Sequence, residues 1–120
     1  MKTFSFEKLT AWQKARELAH EIYKVTKTFP KEEQFGIISQ MRRCAISIAS
    51  NLAEGSGRNS MLDKARFSEI AFGSALELLN QLILSYDFEF IAEDKYSEIR
   101  EKIAEVTLLI DGLRKSQLAK

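Results

Sequence analysis

The sequence predicts an all-α protein, an antiparallel up-down-up-down four-helix bundle forming a single domain over residues 1–120. Three observations predict it. Pro30 is the sole proline in 120 residues, so long helices are permitted almost everywhere. Four segments repeat apolar residues at intervals of three and four, the period of an amphipathic helix. The connections between them are short, which favours antiparallel neighbours. Segments of about 23 residues rise roughly 34 Å each.

The first helix is expected from about Phe6 to Thr28. Trp12, Ala15, Ala19, Ile22, Tyr23 and Thr26 fall on one side, with Leu18 and Val25 at its margin. Glu17, His20, Lys24 and Lys27 fall opposite. Phe29-Pro30 ends the helix, because the residue before a proline avoids helical angles. The second helix is expected over 31–54, with Ile38, Met41, Ala45, Ile48 and Leu52 as its stripe. Ala45, Ala49 and Ala53 step by four and leave room for a close neighbour. Arg42 projects beside that row. A buried arginine needs a partner, and Glu69 and Glu77 on the next helix are its candidates.

The segment EGSGRNS, Glu54 to Ser60, then reads as stop, turn and start. Gly55 suits the left-handed position after a helix end, and Asn59 or Ser60 can cap the next helix with Asp63 in its first turn. The same segment lacks both phosphate-loop patterns and follows a helix, not a strand, so a helix hairpin is preferred over a nucleotide loop. The third helix spans 61–86. Phe67, Ala71, Ser74, Leu78 and Leu82 line one face, and Phe72, Leu76, Leu79 and Ile83 line a second. That arc exceeds the ~100° of a helix with one buried side. Such a helix is central in its fold or shared with another subunit. The fourth helix spans 93–116 on the stripe Ile99, Ile103, Val106, Ile110 and Leu113.

Composition narrows function by exclusion. The net charge of +1 gives no overall pull toward nucleic acid or membrane. Its distribution is uneven: residues 1–60 carry 10 Lys and Arg against 6 Asp and Glu, and residues 61–120 carry 8 against 11. A front half at +4 and a back half at −3 attract each other within or between subunits. One cysteine, Cys44, excludes an intrachain disulfide and suits a cytoplasmic location. The N-terminus shows no signal peptide, and no run approaches the roughly 20 apolar residues of a membrane span. A lone histidine, His20, excludes a histidine metal cluster within one chain, and no Glu-x-x-His pair supports a di-iron site. No metal, cofactor or small-molecule substrate is expected. Cys44 lies in a helical apolar pattern and reads as a small core residue. No nucleophile, base and orienting group assemble from the sequence, so the protein is read as not an enzyme.

The run LTAWQKARELAHEIYKVTKTFPKEEQFGIISQMRRCAISIASNLAEGSGRNS, continued by RFSEIAFGSALELLNQL, resembles a bacterial family. These are the four-helix bundle proteins encoded in 23S ribosomal RNA intervening sequences, often labelled ribosomal-protein-like. The resemblance covers about Phe6 to Leu113. It rests on Trp12, Phe29-Pro30, Arg42-Arg43, Ser50-Asn51, Ala53-Glu54-Gly55, Gly57-Arg58, Gly73-Ser74 and Glu77-Leu78 in combination. The resemblance implies a homopentamer. It also brings in a relative, the accessory protein of diversity-generating retroelements, a pentameric bundle that works with a reverse transcriptase and binds nucleic acid through basic surfaces. This chain departs from the family at Ala49, where proline is frequent, at Cys44, where alanine is frequent, and at Asp87-Phe88, where Leu-Gly is frequent.

The resulting expectation is a non-enzymatic homo-oligomer that contacts RNA or an RNA-handling partner, such as a reverse transcriptase or a ribosomal component. Arg43, Arg58, Lys24 and Lys27 are its candidate nucleic-acid contacts. Arg42, Asn51, Glu54, Gly55 and Glu77 are the matched positions expected to serve the structure. A purely structural protein-interaction module is the alternative.

Overall fold

The structure, a computed structural model, describes residues 1–119. Four helices pack as a bundle: α1 Thr10–Thr26, α2 Ile37–Ser56, α3 Met61–Asp87 and α4 Glu93–Leu118. Each helix packs on the next and α4 returns to α1, while the backbones of the diagonal pairs stay apart. One end of the bundle therefore carries the start of α1, the α2–α3 turn and the end of α4. The other end carries the α1–α2 connection and the α3–α4 turn.

The predicted stripes form the core. Leu18, Ile22, Met41, Ile48, Leu78, Leu82, Ile99, Ile103 and Ile110 are fully buried. Burying side chains of this size contributes about 1.5–3 kcal/mol each. In α1 the stripe is rotated from the predicted one. Leu18 and Val25 lie inside, whereas Tyr23 is exposed. The ring instead forms part of the outer surface, for a reason given below.

The helix starts differ from expectation in two places. Residues 5–8 and 31–33 form short 3-10 turns ahead of α1 and α2. The second helix begins at Ile37 rather than 31, with Gly36 as its N-cap. Lys31, Glu32 and Glu33 are residue types a helix also accepts, so composition alone overextends the helix. At α3 the cap is as predicted: the Ser60 hydroxyl accepts from the Asp63 amide at 3.1 Å.

Gly55 corrects the sequence reading. It is not in a left-handed conformation, and no glycine among the described residues has positive φ. It lies within α2, buried, where a Cβ would stand 2.7 Å from the Cβ of Phe67 on α3. Glycine is needed there because the two helices approach closely. The left-handed residue is Glu89, at φ 63, in the turn between α3 and α4.

The two apolar faces of α3 also resolve unevenly. Phe72 and Leu79 pack part-buried against the core. Leu62, Ile70, Leu76 and Leu84 stay exposed along the same helix.

Candidate nucleic-acid interface

The α1–α2 edge is built around Thr26 and Arg42. Thr26 is buried at the last position of α1, and its hydroxyl donates to the Ile22 carbonyl at 2.6 Å. The same oxygen accepts from Arg42 Nε at 2.9 Å. Arg42 also donates to the Tyr23 carbonyl at 3.4 Å. Its guanidinium lies 4.5 Å from the centre of the Tyr23 ring. A guanidinium over an aromatic face is attracted by the ring quadrupole. This pairing explains why Tyr23 sits outside the core: its ring covers Arg42. The expected partners Glu69 and Glu77 do not hold Arg42. The charge reaches across to α1, not α3, and is half-exposed, so it needs hydrogen bonds rather than a carboxylate.

Beside this pair, Phe35 projects from the turn before α2 and is 96% exposed. With Tyr23, Ile38, Arg42, Arg43 and Ile46 it lines an open trough of about 480 Å³. Sequence reasoning missed Phe35. The available signal was its position, an aromatic residue beside Gly36 that belongs to no stripe.

The four predicted cations separate into two pairs of circumstances. Arg43 is exposed and lines the trough, and Lys27 is exposed at the end of α1. Neither makes an ion pair or side-chain hydrogen bond among the described residues. Lys24 lies 3.5 Å from Glu21. Arg58 donates to Glu54 at 2.6 Å and lies 4.6 Å from the centre of the Phe67 ring. Lys24, Lys27 and Arg43 share the end where α1 stops and α2 starts. Arg58 lies in the turn beyond the end of α2, which at Ser56 is already about 20 Å from Arg43 by helical rise. It belongs to a different surface.

The remaining matched residues follow the α2–α3 seam. Asn51 donates to the Ser47 carbonyl at 2.9 Å and to the Ser47 hydroxyl at 3.1 Å. That hydroxyl is 2.9 Å from the Ser74 hydroxyl on α3. Further along, burial and then the neighbouring Glu77 carboxylate push the Cys44 thiol up to about 11. At neutral pH it is protonated and a weak nucleophile. Among the described residues no group of three or more His, Cys, Asp and Glu side chains is placed to hold a metal ion. Among the described residues, no helix is long and apolar enough to cross a membrane.

Fold and edge together define a class: an all-α bundle with a hydrogen-bonded central seam and a trough walled by aromatic rings and guanidinium groups. Within that class, the chain belongs to the 23S rRNA-intervening sequence protein family, whose model matches residues 7–112. It is also similar to a crystal structure of a protein with unknown function, from the S23 ribosomal protein family, of Bacteroides thetaiotaomicron VPI-5482. The two are 26% identical, with a TM-score of 0.81 over 88% of this chain and 95% of that one. No curated protein matches the chain. The family expected from the residues is thus the family found.

Proposed function

We propose that this protein is a non-enzymatic, self-associating cytoplasmic bundle that holds RNA at the α1–α2 edge. The observation that carries the reading is the pair of uncompensated cations Lys27 and Arg43, at one end of the bundle beside exposed aromatic rings. Single-stranded nucleic acid is bound by this combination of positive charge and stacking surface. The hairpin of α1 and α2 also carries the positive half of the sequence, which supports approach of a polyanion from that side. The protonated Cys44 thiol and the exposed, solitary His20 support a role without catalysis.

Self-association fits the outer row of α3. Leu62, Ile70, Leu76 and Leu84 are exposed around Gly73, where nothing within 4 Å would oppose a side chain. The absence of a local need for glycine favours close approach by another copy, and a pentamer is the assembly we propose. The same row supports the second reading, a protein-interaction module in which RNA plays no part.

Light scattering on the purified protein tests the assembly: a mass near five times 13.7 kDa is expected, and a monomer refutes it. Binding of labelled RNA, measured against salt, tests the ligand. Each phosphate contact released by salt lowers the logarithm of the affinity along a slope of about −0.7 for single strands. Wild-type protein should show a slope of several such contacts, and Lys27→Gln and Arg43→Gln should each lower it by about one. No binding at low salt, with a specific protein co-purifying instead, would establish the second reading.

A further inference from the structure

We infer that the trough between the end of α1 and the start of α2 seats one unpaired nucleotide of an RNA strand, its base on Phe35 and its phosphate on Arg43. The inference rests on RNA being the ligand of this edge and specifies where one residue of that RNA lies.

Four features of the trough carry it. Its volume of about 480 Å³ falls within the roughly 300–1,000 Å³ of small-ligand clefts. Phe35 is almost wholly in water, a position no packing requirement of this chain explains, and it offers a full aromatic face. The opposite wall is already rigid: Arg42 is fixed between the Thr26 hydroxyl, the Tyr23 carbonyl and the Tyr23 ring. Arg42 directs two of its bonds inward, whereas Arg43 has no partner among the described residues and is free for an anion.

The charge is one-sided. No carboxylate lines the trough, and the polar side chains there besides the two arginines are Tyr23, Gln34 and Ser39. An amide and a hydroxyl serve the donor and acceptor edge of a base. A guanidinium serves a phosphate, which it can grip through two parallel hydrogen bonds. A peptide is a poorer occupant. A peptide added as a strand needs an exposed sheet edge, and here the walls are helices and turns, and their one-sided positive charge favours an anion. A duplex is also a poorer occupant, because its bases are stacked away from any protein ring, whereas unpaired bases are free to stack on aromatic side chains.

The test uses the intact protein and two fluorescently labelled probes: an unstructured RNA of about 12 nucleotides, within the span single-strand grooves cover, and a duplex of the same length. Anisotropy gives both affinities for wild type, Phe35→Ala and Arg43→Gln. Loss of one stacking ring should weaken single-strand binding about tenfold, within the range alanine substitutions of such rings produce. Duplex binding should stay within about twofold, since phosphate contacts elsewhere are untouched. Phe35 is exposed, so its alanine variant should melt with wild type, which separates a binding defect from misfolding.

Three results would overturn the seat. If wild type binds neither probe, the RNA reading and the seat fall together. If wild type binds RNA and Phe35→Ala binds the single strand equally well, the seat falls and the RNA reading stands. If Phe35→Ala changes the mass by light scattering, the trough is a contact between copies of this chain.

Discussion

Replacing Gly55 with alanine should destabilise the protein, although the same change at Gly112 should stabilise it. In a helix interior, Gly→Ala ordinarily gains about 1 kcal/mol. At Gly112 in α4 nothing lies within 4 Å of the added carbon, so Gly112→Ala should gain about that amount. At Gly55 the added carbon would stand 2.7 Å from the Phe67 Cβ. Non-bonded carbons rest about 3.5–4.0 Å apart, so α2 and α3 would have to separate by roughly 1 Å. The atom in the way is a Cβ, fixed to the backbone, and no side-chain rotation can remove it. Overpacking of this kind costs typically 1–3 kcal/mol. With the helix gain subtracted, Gly55→Ala should lose up to about 2 kcal/mol and lie roughly 1–3 kcal/mol below Gly112→Ala. Urea unfolding of the three proteins at one fixed concentration measures this, because self-association makes apparent stability depend on concentration. A Gly55→Ala protein as stable as Gly112→Ala would refute the close approach of α2 and α3.

Arg42→Ala removes a charged donor to Thr26 and the stack on Tyr23, and should cost about 1–2 kcal/mol; Arg43→Ala, exposed and unpaired, should change stability by less than about 0.5 kcal/mol, and equal effects in urea would refute the difference in role. Ser60→Ala removes the α3 cap and should cost about 1 kcal/mol, seen as a lower denaturation midpoint. The Cys44 thiol is raised from an ordinary value of 9.0 to about 11. The folded state therefore holds the proton more tightly than the unfolded one. That contribution is complete below about pH 9 and is lost as pH rises toward 11, by up to about 3 kcal/mol. The stability of wild type relative to Cys44→Ala should fall across that window, and a constant difference would refute the burial argument. Alkylation of Cys44 at pH 8 should be slow in folded protein and fast in urea.

Much of this fold was legible because its core is periodic. Ile38, Met41, Ala45, Ile48 and Leu52 could be placed inside from spacing alone, and all five are buried. What escaped notice depended on contacts between elements. Spacing could not reveal that Gly55 serves a helix crossing, since Phe67 is twelve residues away on another helix. It could not show that Arg42 turns toward α1, because two carboxylates on α3 offered an equally plausible charge pairing. The start of α2 lies six residues beyond its expected position because residues 31–36 are types a helix also accepts, and only the fold shows a 3-10 turn there. At the candidate site, Arg43 and Lys27 were identifiable as cations, but their freedom from partners, and the pairing of Arg58 with Glu54, required the fold. Phe35 escaped because an exposed aromatic ring has no periodic signature.

Trp12, the sole tryptophan, has a practical consequence. It meets the Phe6 ring edge-on at 5.0 Å and lies under the Arg16 guanidinium, near the start of α1. The trough lies near the other end of that helix, about 17 Å away by helical rise from Trp12 to Tyr23. Its emission is therefore a built-in reporter of whether the first turn stays docked, separated from the quenching that a nucleobase would impose on a nearby indole. Unfolding can be followed optically with RNA present.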